Sequence, residues 1–186
     1  MKYLVISDIH GGAVNAAKAL EYFDKFSCNY VVLLGDLLNH GPRNRLPTDY
    51  DPMAVSCVLN QYKHKIISVR GNCDSEVDSM LFEFPCNAPY GYLLLKGRKV
   101  FLTHGHLHKF ETLEQIEKIG LKQGDVVLSG HTHVNGIFKK ESGVININVG
   151  SVTLPKGGTK ASFAIVDDEN ITLYDLDGQT IEQYQL

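Results

Sequence analysis

Seven side chains of types that bind metals stand within about three residues of the ends of short apolar stretches of this sequence. They are Asp8, His10, Asp36, Asn72, His104, His131 and His133. The preceding stretches read "YLVIS", "VVLLG", "IISVR", "VFLT" and "VVLSG". Carboxylate, imidazole and amide groups form a mixed oxygen and nitrogen donor set without thiolate, which suits divalent first-row metals. If the stretches are strands, five strand ends can deliver all seven groups to one crevice.

Spacing within two segments predicts that these residues act in pairs. Asp8 and His10, like His131 and His133, are two residues apart, and such residues project to the same side of an extended chain. We therefore expect each pair to reach a common centre. Glycines that let the backbone turn sharply and approach closely stand beside them at Gly11, Gly35, Gly71, Gly105 and Gly130.

The elements that must position these groups change along the chain. In the first half, short apolar strands alternate with helical patterns over 13–26 and 53–65, which indicates βαβ units and a parallel sheet. Asp51 and Pro52 are typical of an N-cap and a first helical position. In the second half, turns at Gly97-Arg98, 142–143, 168–169 and 177–178 indicate hairpins, with one helix over 112–120. The pattern predicts an α/β fold, a four-layer sandwich of two mixed β-sheets flanked by helices, in one domain over 1–186.

Composition limits the classes of protein that fit this sequence. The chain has 186 residues, 44% of them hydrophobic, a net charge of −3 and a pI near 6.2. A chain of this size buries roughly 70% of its unfolded surface, and the charge offers no broad basic surface for a dedicated nucleic-acid binder. Neither a signal peptide nor a membrane span is evident. We expect a soluble, cytoplasmic protein.

Four cysteines lack the CxxC spacing of zinc ribbons and redox motifs, which favours a reducing compartment. Cys28 and Cys57 lie in apolar patterns and are predicted to be small core residues. Whether the chain assembles with copies of itself is left open by the sequence.

Taken together, the motifs D-x-H, GD, GN, HGH and GHxH, in this order, resemble the calcineurin-like metallophosphoesterase superfamily. The stretches "SDIHG", "GDLLNHGPRN", "VRGNCDSEVD", "LTHGH", "GHTH" and "GSVTLPKGG" are similar to those of its small bacterial phosphodiesterases, over the whole chain. The resemblance implies a two-sheet sandwich that hydrolyses phosphate esters of small substrates, with no membrane partner.

The resemblance also implies two divalent metal ions, with Mn favoured and Zn, Fe or Ni as alternatives. One ion would be held by Asp8, His10, Asp36 and His133. The other would be held by Asp36, Asn72, His104 and His131, so that Asp36 bridges the two. Such a pair binds phosphoryl oxygens and lowers the pKa of a water toward neutrality.

The sequence departs from many superfamily members at "GNCD", where Cys73 stands in the place of a histidine that assists the leaving group. Loss of an imidazole favours substrates with good leaving groups or requires another proton donor. His106, His40 and Cys73 are the candidates for that catalytic role. Both histidines fit equally well as residues of the pocket wall.

The loop after Asp36 carries candidate substrate-binding residues. Asn39 and Arg43 could hold a phosphate or a second ester group, Arg43 through two parallel hydrogen bonds. A Pro-Gly turn with solvated arginines explains the same residues. Lys156 in "LPKGG" is a weaker candidate, and His64 and His108 are predicted to lie on the surface.

Three function classes therefore stand side by side. The first is a dinuclear phosphodiesterase, with a phosphomonoesterase of the same fold as its variant. The second is a non-catalytic protein-interaction scaffold of the retromer-subunit type, which would be free to lose histidines that this sequence retains. A histidine-rich metal store fits poorly, because five converging segments leave room for a substrate.

Overall fold

Two mixed β-sheets form the centre of the computed structural model, which describes residues 1–186. The strands are β1 (Tyr3–Ile6), β2 (Tyr30–Leu33), β3 (Ile66–Ser68), β4 (Gly91–Leu95), β5 (Arg98–Leu102), β6 (Val126–Ser129), β7 (Gly136–Lys139), β8 (Ile145–Asn148), β9 (Ser162–Val166), β10 (Asn170–Asp175) and β11 (Thr180–Gln185). The first sheet has the order β11-β10-β9-β1-β2-β3 and the second β4-β5-β6-β8-β7. Strands β1, β2 and β3 are parallel, as are β5, β6 and β8, while the other pairs are antiparallel.

Three helices cover the outer faces of the two sheets. They are α1 (Ala13–Lys25), α2 (Pro52–Asn60) and α3 (Leu113–Glu117), and 3-10 turns lie at Lys63–Lys65 and Glu76–Met80. Alternation along β1 explains the layers, because Leu4 packs toward α1 and α2 whereas Val5 packs toward the second sheet. On that sheet, Phe101 faces α3. The predicted four layers are confirmed, although a helix of five residues makes the fourth layer thin.

The sequence predicts where the helices begin more accurately than where they end. The Asp51 carboxylate caps α2 by accepting from the Ala54 N–H at 2.9 Å, with Pro52 at the first helical position, as the sequence predicts. The helix expected to continue to residue 65 ends at Asn60, whose side chain instead bonds to the backbone of Leu81 and Glu83. Cys57 was predicted to be core and is exposed, whereas Cys28 is buried.

The first hairpin of the second half turns one residue earlier than predicted. Lys96 and Gly97 form the turn, with φ of 45° and 82°, and Arg98 already begins β5. Two successive positive φ values match the right-handed twist of the flanking strands, which explains why the turn settles there. None of the helices combines the length and the apolar character that crossing a bilayer requires.

Candidate metal centre

All seven predicted metal-binding side chains follow the carboxyl ends of β1, β2, β3, β5 and β6, and the structure brings them to one place. Nearest to one another are Asp8, His10 and His133. The Asp8 Oδ1 atom lies 3.2 Å from His133 Nε2 and 3.6 Å from His10 Nε2. The two Nε2 atoms are 3.1 Å apart. This trio has the donor spacing of a metal-binding group.

A second trio, Asp8, Asp36 and His104, adjoins the first. Asp36 Oδ2 lies 3.3 Å from His104 Nε2 and 3.7 Å from His10 Nε2, so this carboxylate faces both groups. The Asn72 side-chain oxygen is 3.1 Å from His104 Nε2. The ring of His131 lies 5.1 Å from that of His104, at the outer side of this second group.

Three of the imidazoles are held in one tautomer. The Nδ1 atoms of His10, His104 and His133 contact the backbone carbonyls of Asn39, Leu34 and Leu154 at 2.6–2.7 Å. A carbonyl only accepts, so each Nδ1 carries a proton and each Nε2 points into the centre, where a neutral ring would offer its lone pair to a metal. Backbone carbonyls on the outer nitrogen are the usual partners of metal-binding histidines.

These residues fit a metal ion by the chemistry of their donors. The centre concentrates imidazole lone pairs and carboxylate oxygens, and the buried Asp8 Oδ1 has no hydrogen-bond partner. A buried acceptor without a donor is costly, and lone pairs 3.1 Å apart repel unless a cation lies between them. Divalent cations bound by oxygen and nitrogen donors satisfy both requirements.

Electrostatics at the centre tie the carboxylates to the histidines. Burial alone would raise the pKa of Asp8, but the adjacent imidazoles of His10, His133 and His104 outweigh it and hold that pKa far below its usual range. Burial alone would lower the pKa of His104, but Asp36 and Asp8 raise it to about 9. Without metal, His104 is therefore protonated at neutral pH. In this state a proton supplies part of the positive charge that the centre requires.

Backbone conformation sets these residues apart from the rest of the chain. Seven residues other than glycine have positive φ, and five of them are predicted site residues: Asp8, His10, Asp36, His131 and His133, with φ of 49–69°. This left-handed conformation costs a residue with a side chain roughly 1–2 kcal/mol. The extended geometry expected within each pair is therefore wrong, although Asp8 and His10 still converge. Strained residues gathered at one place are a mark of a functional site.

At two of the predicted glycines, neighbouring atoms leave no room for a side chain. A Cβ on Gly71 would lie 2.1 Å from the Asp36 carboxylate, and a Cβ on Gly130 would lie 2.4 Å from the Asp8 carboxylate. No side chain fits at these distances. Both loops therefore pass directly beneath the carboxylates that face the centre.

Two supporting residues were not recognised from the sequence. The Asp74 carboxylate accepts from the backbone N–H groups of Asp36, Leu37 and Gly71 at 2.7–2.8 Å. Ser151 donates to the Asp8 carbonyl at 2.6 Å. The contacts of Asp74 with Asp36 and Leu37, and that of Ser151 with Asp8, could not be found from spacing, because they join segments far apart in the chain.

An open cavity of about 380 Å³ adjoins the centre. Its wall includes Asn39, Arg43 and Cys73 from the sequence prediction, together with Lys156. His40 is not in this wall, because its ring packs edge-on against Tyr50.

The remaining histidines differ in their surroundings. His106 lines a neighbouring recess beyond Asn72, with its ring 5.3 Å from that of His104. His64 is exposed, as predicted. His108 is not a plain surface residue, because its ring packs against Phe101 and Tyr90 and burial lowers its pKa.

Comparisons with known proteins agree with this geometry. The family profile described as the calcineurin-like phosphoesterase superfamily domain matches residues 1–170. Phosphodiesterase YfcE of Escherichia coli (strain K12) is 44% identical over 181 residues, which are 97% of this chain and 95% of YfcE. The solved structure of E. coli YfcE, a phosphoesterase, superimposes with a TM-score of 0.89 and covers 99% of this chain and 98% of its own.

Vacuolar Protein Sorting 29 from Cryptosporidium parvum shares the fold at 21% identity, with a TM-score of 0.67 and coverage of 100% of this chain and 97% of its own. At that identity the likeness concerns architecture alone. The profile match and the similarity to YfcE extend over far more than half of the sequence, and the chain belongs to the calcineurin-like phosphoesterase superfamily.

Proposed function

We propose that this protein is a metal-dependent phosphodiesterase that cleaves phosphate diesters of small molecules. One observation carries the proposal: fixed imidazole nitrogens and two buried carboxylates converge beside a cavity that is open to solvent. The name of its relative YfcE supports the same activity. A structural metal site would be closed by its ligands, whereas this one adjoins space for a substrate.

The chain would hold two metal ions with the residues described above. Asp8, His10, Asp36 and His133 are proposed for one ion, and Asp36, Asn72, His104 and His131 for the other. Two bound divalent ions would polarise the phosphoryl oxygens, acidify a water and stabilise the charge that develops in the reaction. From the resemblance we propose Mn as the native metal, with Zn, Fe or Ni as alternatives, because the donor set suits all four.

The protein's own residues would orient the substrate and restrict its motion. Asn39 and Arg43, on the loop whose carbonyl fixes His10, are proposed to bind the substrate's phosphate or its ester arm. Cys73 lies beside Asn72 in the cavity wall, and His106 lies in the neighbouring recess that Asn72 also lines. We propose no proton-donating role for His40, since its ring turns away toward Tyr50.

Localisation and domain organisation are also proposals. Four free cysteines favour a reducing compartment such as the cytoplasm. We propose that residues 1–186 form one domain, because the two sheets bury a common core between them.

The decisive experiment is a screen of phosphate monoesters and diesters against protein reconstituted in turn with Mn, Zn, Fe and Ni. Preferred turnover of activated diesters supports the proposal, and preferred turnover of monoesters supports the phosphomonoesterase. If neither class is hydrolysed while metal analysis finds both ions bound, the enzymatic proposal fails. The alternative of a non-catalytic protein-interaction scaffold, which would share its fold with Vacuolar Protein Sorting 29, then becomes the better interpretation.

A further inference from the structure

The wall of the cavity beside the metal centre carries two cations that come from distant parts of the chain. Arg43 and Lys156 both line it, although they are 113 positions apart in the sequence. Apart from Asp36, whose carboxylate faces the metal centre, no other wall residue carries a full charge. Neither cation forms an ion pair with a carboxylate. Both charges are therefore free to bind an anion from the solvent.

The loop that carries each cation is fixed in place relative to a histidine of the centre. The Asn39 carbonyl accepts from His10 Nδ1 at 2.7 Å, and Arg43 follows four residues later on the same loop. The Leu154 carbonyl accepts from His133 Nδ1, and Lys156 follows two residues later. The backbone N–H of Lys156 also donates to the His133 carbonyl at 2.9 Å. The contacts that orient the two imidazoles thus also set the position of each cationic loop relative to the metal centre.

Local bonds keep both loops in defined conformations. In the first loop, the Asn39 side chain accepts from the Gly41 N–H at 2.8 Å, and the Asn44 side chain donates to the His40 carbonyl at 2.9 Å. In the second, the Thr159 hydroxyl donates to the Lys156 carbonyl at 2.8 Å. Only the long side chains of Arg43 and Lys156 remain free to adjust to a ligand.

We infer that Arg43 and Lys156 bind a second phosphate group, carried on the ester arm of the substrate that is not cleaved. The inference rests on the proposed phosphodiesterase function and narrows its substrate class to diesters with an anionic arm. A cavity of about 380 Å³ accommodates such an arm. Arginine binds phosphate through paired hydrogen bonds and lysine as a point charge, so the two residues complement each other. In a chain of net charge −3, this local excess of positive charge selects for an anion.

A matched pair of substrates tests this inference directly. Both are p-nitrophenyl diesters of phosphate whose second arm is a butyl chain, which ends in a hydroxyl in one and in a phosphate monoester in the other. In each, water attacks phosphorus, the bond to the aryl oxygen breaks, and p-nitrophenolate leaves with the bonding electrons. The leaving group is identical, so the ratio of the two kcat/KM values reports recognition of the arm. Because nonproductive binding of the terminal phosphate lowers kcat and KM together, kcat/KM is unaffected by it.

We expect the metal-loaded protein to prefer the phosphate-ended diester by about tenfold or more, as charge-assisted hydrogen bonds allow. Arg43→Gln and Lys156→Gln should each lower the preference severalfold, and the double variant should bring the ratio close to one. Arg45→Gln is the matched control, because Arg45 is exposed on the same loop but lies outside the cavity wall. Rising salt should reduce the ratio as well.

Equal kcat/KM values for the two diesters, or a preference that survives the double variant, would overturn the inference and leave the proposed function intact. Absence of turnover of either diester, with both metals bound, would overturn the proposed function and this inference with it.

Discussion

The Asp74 carboxylate holds the backbone of Asp36 in place, and the Asp36 carboxylate in turn bonds to the residue before Asp74. The Asp74 carboxylate accepts from the Asp36 N–H at 2.8 Å, and the Asp36 carboxylate accepts from the Cys73 N–H at 2.7 Å. Asp74 also accepts from Gly71 at 2.7 Å, so one side chain joins the loops that follow β2 and β3. These loops carry Asp36 and Asn72, and the separation of the two proposed ligands therefore depends on Asp74.

Asp74→Asn should weaken metal binding although Asp74 faces no metal. An amide nitrogen in place of one carboxylate oxygen would point a donor at backbone N–H groups, so the two loops should separate. Loss of a group that orients metal ligands typically costs about 10–100-fold in metal affinity. Competition with a chelator measures the affinity. The control is Asp78→Asn, which removes a carboxylate that bonds only to Ser75, and equal losses in both variants would contradict the assignment.

Asp36→Asn should lower metal content and activity together, because this carboxylate faces both candidate groups, 3.3 Å from His104 Nε2 and 3.7 Å from His10 Nε2. Metal analysis and turnover of an activated diester, made on the same preparation, test the link. Asp177→Asn changes an exposed carboxylate and serves as the control. Full activity in Asp36→Asn would contradict the proposed role of Asp36 as a ligand shared by both metal ions.

The convergence of the seven side chains could be predicted from the sequence, but their backbone conformation could not. Polar residues after apolar stretches identify strand ends, and parallel strands end at a common edge. The left-handed conformation of Asp8 and His10 instead depends on partners elsewhere in the chain. Their N–H groups donate to the carbonyls of Gly35 and Asp36 at 3.0 and 2.9 Å. Hydrogen bonds between distant segments overrode the local preference for extended backbone.

Errors elsewhere have similar causes. Cys57 follows an apolar pattern, yet α2 directs Val55 and Leu59 inward and Cys57 to solvent. Lys156 is only a weak candidate from the sequence because Arg43, which lines the same cavity, is 113 positions away. Spacing along the chain reveals neither kind of relationship.

Gly71→Ala should disrupt the centre through a single methyl group. The added Cβ would lie 2.1 Å from Asp36 Oδ1 and 2.4 Å from the Asp36 backbone nitrogen, so the loops must move apart. Forced shifts of this kind cost about 1–3 kcal/mol in well-packed regions. Chemical denaturation and metal affinity give the two measurements. Gly91→Ala is the matched control, because its Cβ meets only ordinary contacts at 3.7–3.9 Å, and it should leave both values unchanged.

Turnover should depend steeply on the leaving group. Burial and the Asp36 charge raise the pKa of the Cys73 thiol to about 12, which makes it a weaker acid than the aryl alcohols it would protonate. Burial lowers the pKa of His106, so this imidazole is neutral at pH 7. A positioned proton donor contributes about 10²–10⁴-fold, and neither residue supplies it.

The measurement is kcat/KM over a series of diesters from nitrophenyl to phenyl leaving groups. Cys73→Ser should retain the same steepness. A marked increase in steepness in Cys73→Ser would identify the thiol as the proton donor after all.

Stability of the metal-free protein should depend on pH through His104 and Asp8. The pKa of His104 is raised from 6.5 to about 9, so its contribution is complete below pH 6.5 and is lost as pH rises through 9. The pKa of Asp8 is lowered from 3.8, so its contribution is complete above pH 3.8 and is lost in stronger acid. Between these limits, from about pH 4 to 6.5, both contributions are present.

Metal binding should show the opposite trend above this window, because a metal must displace the His104 proton. Affinity should rise from pH 6 toward 9, and calorimetry in two buffers of different ionisation enthalpy should detect proton release on binding at pH 7. Thermal melts with and without bound metal provide the comparison, since His104 has no proton to lose in the loaded state. Two results together would contradict this prediction: a melting temperature of the metal-free protein that stays constant from pH 6 to 9, and no proton release on metal binding. They would show that His104 is neutral and that another group offsets the carboxylate charges of the centre.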